Sequence, residues 1–133
     1  MVDRSNIESQ NFRDAAAVNE ITFTLDLAGY FKFVNIEGQR LSGYSSQEVR
    51  RLHISEVVAP ELAELVRQQF RRTIQQRVGV VYEIEIITRD RRRVVLETSI
   101  HLVMRDGRPI EIQGIACTTR RHFDAVASVL VGR

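Results

Sequence analysis

Alternating apolar and polar positions mark two short strands near the beginning of the chain. Apolar residues alternate with threonines in ITFTL, residues 21–25, and YFKFVN, residues 30–35, places Lys32 between two phenylalanines. This period of two is typical of β-strands with one buried face. The turn-forming segment DLAG, residues 26–29, separates the two patterns, so we expect an antiparallel hairpin.

Three longer strand patterns follow one another in the second half of the chain. Residues 80–88, 94–103 and 110–118 alternate apolar and polar side chains. A turn is expected at residues 89–93, and RDGR at residues 105–108 is a strong hairpin signal. The three segments therefore predict an antiparallel meander.

Between the two groups of strands, RLSGYSSQEV at residues 40–49 predicts a corner between two helices. Gly43 suits the left-handed conformation that often ends a helix. Ser45 and Glu48 have the spacing of a capping box, in which each side chain accepts a hydrogen bond from a free backbone N–H. By itself this arrangement indicates packing rather than chemistry.

Apolar residues at spacings of three and four predict further helices. A long helix is expected to begin at Pro60, run to residue 78 and end at Gly79. Shorter amphipathic helices are expected at residues 9–19 and 120–131. Strands from both ends of the chain with helices between them predict an α+β domain, with one antiparallel sheet and helices packed on one face.

The composition is that of one ordinary globular domain. Of the 133 residues 44% are hydrophobic and 27% are charged, and the net charge of +2 gives no reason to expect nucleic acid as a partner. Cys117 is the single cysteine, which fits a reducing compartment. No apolar stretch approaches the length of a membrane span, and the first residues lack the apolar core of a secretion signal. We therefore expect no membrane span and a cytoplasmic location.

These motifs, in this order, resemble the PAS domain, a family of sensory and interaction modules. The resemblance is carried by ITFTLDLAGYFKFVN, LSGYSSQEV, ISEVVAPE, VYEIEIITRDRRRVVLETSI and RDGRPIEIQGIACTTR. It implies a PAS-like five-stranded antiparallel sheet with helices on one face. It also implies a PAS core at residues 21–119, an N-terminal flanking helix in residues 1–20 and a C-terminal exit helix in residues 120–133.

The chain departs from the family pattern at two places. A hairpin that often carries Asp-Gly in relatives has Asp90 followed by Arg91 here. The exit motif of relatives usually reads Asp-Ile-Thr, whereas this chain has Thr118, Thr119 and Arg120. In relatives that motif often links the PAS core to a signalling helix; this chain lacks the motif, although a helix is still expected to follow.

The resemblance also implies a cavity between the sheet and the helices, where relatives hold ligands. The side chains expected to line it are nearly all apolar and include no arginine, which disfavours a carboxylate ligand. The expected lining residues are Phe33, Val66, Phe70, Ile84, Leu96, Thr98 and Ile115, together with Phe23, Leu41, Ile86 and Ile100. Two interpretations stay open, a filled core without ligand and a pocket for a small apolar molecule such as a fatty acid.

The cofactor, if there is one, is unknown from the sequence, but two kinds are disfavoured. Covalently photoactive flavin needs a cysteine in a helical Asn-Cys-Arg-type motif, whereas Cys117 lies on the last expected strand. Haem-binding relatives commonly use a histidine on the long central helix, and residues 60–78 contain none. His101 is expected to face away from the cavity, and no metal site is expected.

Charged clusters indicate exposed surfaces rather than catalytic groups. The run RDRRR at residues 89–93 is expected to be a solvated hairpin tip, with a patch for nucleic acid or an acidic partner as the less favoured reading. Glu83, Glu85 and Glu97 are expected to form cross-strand pairs on the outer sheet face. We identify no catalytic residue and do not expect an enzyme.

Apolar residues in the two terminal segments suggest self-association. Phe123, Val126 and Leu130 share one face of the expected exit helix, and Phe12 and Val18 could act likewise in the first helix. They could cover the outer sheet face or form a coiled coil, and we favour a homodimer.

The sequence therefore predicts a PAS-type sensory or protein-interaction module of a bacterial-type signal-transduction protein. It would bind a small apolar ligand or a partner and pass the change through its terminal helices to an output domain or signalling partner. The alternative is a ligand-free structural dimerisation module, and a small enzyme that uses the cavity is less favoured.

Overall fold

A computed structural model describes residues 20–117, which form five strands, four α-helices and one 3-10 turn. The expected helices at residues 9–19 and 120–131 lie outside the described residues, as do residues 1–19 and 118–133 of the expected domains. The strands are β1 (Glu20–Leu25), β2 (Phe31–Val34), β3 (Val80–Ile87), β4 (Arg93–Arg105) and β5 (Arg108–Cys117). The helices are α1 (Ile36–Ser42), α2 (Ser46–Val49), α3 (Ile54–Val57) and α4 (Ala63–Gln76), with the 3-10 turn Pro60–Leu62 before α4.

The five strands form one antiparallel sheet in the order β2-β1-β5-β4-β3. The first and last strands are neighbours, and Glu20 lies opposite Cys117. All four helices come between β2 and β3, and the alternating buried residues of the strands face them. The expected α+β fold, with helices on one face of a five-stranded sheet, is confirmed.

The hairpin turns follow the backbone preferences of their residues. Asp106 and Gly107, between β4 and β5, both have positive φ, at 51° and 76°. Positive φ at both central positions is the requirement of the tight type I′ turn that Asp-Gly favours, so the expected turn is confirmed. In the turn before β4, Arg91 has a φ of 69°, at the place where relatives often have glycine.

The corner at residues 40–49 folds as its sequence predicts. Gly43 ends α1 in the left-handed conformation, with a φ of 83°. The Glu48 N–H donates to Ser45 Oγ at 3.1 Å, and the Ser45 N–H donates to Glu48 Oε1 at 2.9 Å. The capping box at the start of α2 is therefore complete.

The long helix differs from the prediction at both ends. Its first turn, after Pro60, is a 3-10 turn, and its last helical residue is Gln76 rather than residue 78. Arg77 takes the left-handed capping conformation, with a φ of 57°, and its N–H donates to the Thr73 carbonyl at 3.0 Å. The helix thus ends three residues before Gly79, and the chain turns toward β3, which begins at Val80.

The core lies between the inner sheet face and the helices. Gly114 on β5 allows the Phe23 ring to pack against the backbone of β5, because a Cβ atom at position 114 would lie 2.1 Å from that ring. The buried side chains of the sheet include Ile21, Phe23, Leu25, Ile84, Ile86, Leu96, Ile100 and Ile112, and those of the helical layer include Val49, Ile54, Val57, Val66 and Phe70.

Candidate functional site

A cavity of about 60 Å³ lies between the inner face of the sheet and the short helices α1–α3. Its sheet side is formed by the centre of the strands, and its other side by the helical corner and α3. The residues that line it are Ile21, Phe23, Phe31, Val34, Gly38, Leu41, Ser42, Tyr44, Val49, Ile54, Val57, Ile84, Ile86, Leu96, Thr98 and Ala116. No charged side chain is among these residues of the described chain, so the cavity suits a neutral occupant.

Three of the lining side chains carry a polar atom. Ser42 Oγ accepts a hydrogen bond from the Tyr44 N–H at 3.2 Å. The Thr98 side chain is 1% exposed, and its Oγ1 has no hydrogen-bond partner among the described residues. An unpaired buried hydroxyl typically destabilises the fold by about 1–3 kcal/mol, so Thr98 is the most unusual residue of the cavity.

His53 fixes α3 to the turn between β1 and β2. Its Nδ1 accepts from the Ser55 N–H at 3.1 Å, which leaves the proton on Nε2, and Nε2 donates to the Ala28 carbonyl at 2.7 Å. The ring of Tyr30 packs edge-on against the imidazole, with 4.9 Å between the ring centroids. Gly29 lets the imidazole lie close to the turn, because a Cβ atom at this position would lie 2.4 Å from His53 Nε2. The histidine is thus a structural cap in one wall of the cavity.

Arg89 attaches the other end of the short-helix wall to the β3–β4 hairpin. Its N–H donates to the Ser42 carbonyl at 2.8 Å, and its guanidinium pairs with the Glu48 carboxylate. The hydrogen bond from the Ser45 N–H and the nearby Arg89 charge hold the pKa of Glu48 below its usual range. The wall is therefore held at both ends by polar contacts.

Six of the eleven sequence-predicted residues line the cavity, and five, among them the buried Ile100 of β4, do not. Ile84, Leu96 and Thr98 line it, as do Phe23, Leu41 and Ile86. Val66 and Phe70 are buried on α4, but they are not among the lining residues. The long helix packs closely on the core, and the cavity lies under the shorter helices instead.

Phe33 and Ile115 lie outside the cavity, which corrects their predicted positions. Phe33 is 52% exposed, because the register of β2 shifts opposite Leu25 and turns Phe31 and Val34 inward instead. Ile115 is 40% exposed on the outer sheet face, because strand alternation points its neighbours Gly114 and Ala116 inward.

Apart from Leu41, the sequence did not indicate the lining residues of the short helices and their connection. Tyr44, Val49, Ile54 and Val57 all line the cavity; Tyr44 lies in the connection between α1 and α2, and the other three lie in helices of four residues. Tyr44 and Val49 could have been predicted from the capping box, because they occupy the two hydrophobic-staple positions around it. Such a pair indicates which side of a short helix faces the core.

The charged clusters are paired on the surface. Arg93 lies 2.7 Å from the Glu61 carboxylate and 2.8 Å from that of Glu85, and Arg92 lies 3.0 Å from Asp90. With the Arg89 pair, these contacts neutralise much of the arginine-rich tip. Surface pairs of this kind contribute little to stability, and they support a solvated hairpin tip.

The cysteine and the strand histidine lie away from the cavity. Burial, with the Glu20 and Glu97 charges, raises the pKa of Cys117 to about 11, so its thiol stays protonated at neutral pH. His101 is exposed on the outer face of β4, as expected from the inward-facing Leu96. Within residues 20–117, no three acidic, histidine or cysteine side chains are grouped as a metal site. In the same part of the chain, no helix has the length and apolarity needed to cross a membrane.

Solved structures show where this fold occurs. The chain is similar to the PAS domain of a protein from Colwellia psychrerythraea, with a TM-score of 0.70 and 16% identity over 86% of this chain and 98% of that one. It is similar to a domain of a sensory box sensor histidine kinase/response regulator from Geobacter sulfurreducens, with a TM-score of 0.64 and 23% identity over 86% and 96%. A PAS domain from a two-component sensor histidine kinase gives a TM-score of 0.60 and 15% identity over 86% and 97%.

Sequence comparison agrees with the structural likeness. Comparison with curated protein sequences finds no significant match. The family model of the PAS fold matches residues 31–116, which include β2, all four helices and nearly all of the last three strands. The chain therefore belongs to the PAS-fold family.

Proposed function

We propose that the chain is a cytoplasmic sensory module that binds a small, mostly apolar molecule in the cavity beneath α1–α3. It acts by binding rather than by catalysis, and it passes the change to an output domain or signalling partner. The observation that carries this proposal is the apolar, uncharged cavity in the centre of a PAS fold. Two similar structures come from sensor histidine kinases, which supports a role in signal transduction.

The positions of two lining residues suggest a route for the signal. Ala116 lines the cavity, and the next residue, Cys117, ends β5. Ile21 also lines the cavity, and it follows Glu20, which begins β1 opposite Cys117. A ligand that shifts these two strands would act on both terminal segments at once.

Self-association is the second part of the proposal. We assign it to Phe12 and Val18 in the first segment and to Phe123, Val126 and Leu130 in the last. Exposed apolar side chains on the outer sheet face support it: Phe33 of β2, Ile115 of β5 and Val81 of β3, which is 68% exposed. Such residues favour burial against a partner or a neighbouring segment.

The cavity volume limits the cofactor. About 60 Å³ is less than half of the roughly 150 Å³ that holds benzene in an engineered protein cavity. Haem, flavin or a fatty acid would need the short-helix wall to move outward. The same small volume favours the alternative function, a ligand-free dimerisation module, as the second candidate.

Native mass spectrometry of the freshly purified full chain tests both candidates together. A dimer that carries additional mass supports the sensory module, and the Ala116→Leu variant should lose that mass and stay dimeric because leucine fills the cavity. A bare dimer favours the dimerisation module. A bare monomer contradicts the proposed self-association.

A further inference from the structure

The Thr98 hydroxyl is the one buried side-chain polar atom of residues 20–117 that lacks a hydrogen-bond partner. The other two fully buried threonines are satisfied. Thr73 Oγ1 donates to the Gln69 carbonyl at 3.0 Å, and Thr88 Oγ1 donates to Asp90 Oδ1. Since native proteins pair nearly all buried hydroxyls, the exception at Thr98 calls for a specific reason.

The sheet around Thr98 supplies no hydrogen-bond partner for its hydroxyl among the described residues. Thr98 lies on β4 between Tyr82 of β3 and Ala116 of β5, and the backbone groups of these strands pair with one another. The cavity-facing neighbours Ile84, Leu96 and Ile86 are hydrocarbon side chains. A partner for the hydroxyl would therefore come from a molecule that enters the cavity.

The lining also defines the chemistry of that molecule. A charged group would be buried without a counter-charge, because no acidic or basic side chain of the described residues lines the cavity. A lone water would find few of the two to four polar partners that buried waters usually have. The volume of about 60 Å³ accommodates roughly two to four non-hydrogen atoms.

We propose that Thr98 is the polar anchor of the cavity and that it selects small neutral molecules with an apolar body and one hydrogen-bonding group, such as short-chain alcohols or ketones. This inference rests on the proposed function in one respect, that the cavity takes a ligand. Thr98 determines which ligand is preferred, because its hydroxyl gains a partner only when the ligand supplies one.

Two small probes, one with a hydroxyl and one without, separate the anchor from the cavity. The full chain is titrated with 2-propanol and, separately, equilibrated with xenon, and binding is followed by the NMR shifts of the Ile21, Ile84 and Leu96 methyl groups. We expect both probes to bind the wild-type protein. In Thr98→Val the Kd for 2-propanol should rise roughly three- to ten-fold, from the loss of one hydrogen bond, while xenon binding is kept.

Matched variants control for changes in packing. Thr98→Ser keeps the hydroxyl and should bind 2-propanol with a Kd close to that of the wild-type protein. Thr73→Val makes the same chemical change at a buried threonine away from the cavity and should alter neither titration. If Thr98→Val does not fold, the comparison is made with Thr98→Ala, which also lacks the hydroxyl.

The outcomes distinguish this inference from the proposed function. If both probes bind and loss of the Thr98 hydroxyl changes neither titration, the anchor is refuted while the ligand-binding cavity stands. If neither probe shifts the three methyl groups in the wild-type protein, both the cavity as a ligand site and the anchor are refuted. A 2-propanol Kd that responds to Thr98→Val but not to Thr73→Val supports the anchor.

Discussion

The short helices α1–α3 and the long helix α4 cover the same face of the sheet, but the cavity lies under the short helices. Val66 and Phe70 of α4 are buried one turn apart, and α4 lays this continuous apolar face on the core. The short helices instead contribute one or two buried residues each. Their ends are fixed by Gly43, by the Ser45 capping box and by His53.

The difference shows how a fold can keep an internal space. A helix whose position is set by its packed face fills the volume beneath it, because every apolar contact adds to stability. A short element whose position is set by backbone hydrogen bonds and caps can stay at a distance from the sheet. A ligand site therefore belongs under the part of the wall that polar contacts hold.

The largest expected effect compares two buried valines, one in each region. Val66→Ala should lower the free energy of unfolding by about 2–3 kcal/mol, because it removes well-packed atoms and leaves a void. Val57→Ala should lower it by about 1 kcal/mol, because Val57 already faces the cavity and has fewer contacts to lose. Urea unfolding of both variants measures the difference, and equal losses would show that the two regions are packed alike.

Enlarging a buried alanine sharpens the comparison. Ala59 is fully buried and does not line the cavity, so Ala59→Val should destabilise the protein by about 1–3 kcal/mol through overpacking. Ala116 lines the cavity, so Ala116→Val should change stability by less than about 0.5 kcal/mol or increase it. Thermal unfolding of the two variants tests this, and a large loss for Ala116→Val would mean that no usable space exists beside it.

The two threonines are expected to respond in opposite directions. In the ligand-free protein, Thr98→Val should raise the free energy of unfolding by about 1–2 kcal/mol, because it removes an unpaired hydroxyl. Thr73→Val should lower it by about 1 kcal/mol, because that hydroxyl is hydrogen-bonded. Denaturant unfolding of both variants checks the signs, and a loss at Thr98 as large as that at Thr73 would indicate that its hydroxyl is paired.

The smallest effect concerns the ends of the helices. Arg77 ends α4 with positive φ, whereas glycine occupies the equivalent position after α1. Arg77→Gly should therefore stabilise the protein by about 0.5 kcal/mol, since relief of the strained conformation exceeds the added entropy of the unfolded chain. Gln75→Gly, in the exposed last turn, should destabilise it by about 1 kcal/mol and serves as the control. A loss at both positions would contradict the assigned cap.

The sequence was sufficient for the fold because the fold depends on local signals. Alternation placed β1 and β3–β5, and the Asp-Gly turn and the Ser45 capping box specified the connections. The cavity depends on non-local geometry, and here the prediction failed at particular residues. Nothing in FKFV indicates the register shift that turns Phe33 outward, and the apolar spacing of α4 does not reveal that the helix packs too closely to border a cavity.

The most direct test of the account is a crystal structure of the protein under xenon pressure. Xenon enters apolar cavities and reports their position without needing the natural ligand. We predict a xenon site bounded by Ile21, Ile84 and Thr98, beneath the short helices. Xenon beside Val66 and Phe70 instead, or no site within the core, would contradict the claim that the short-helix wall encloses the ligand site.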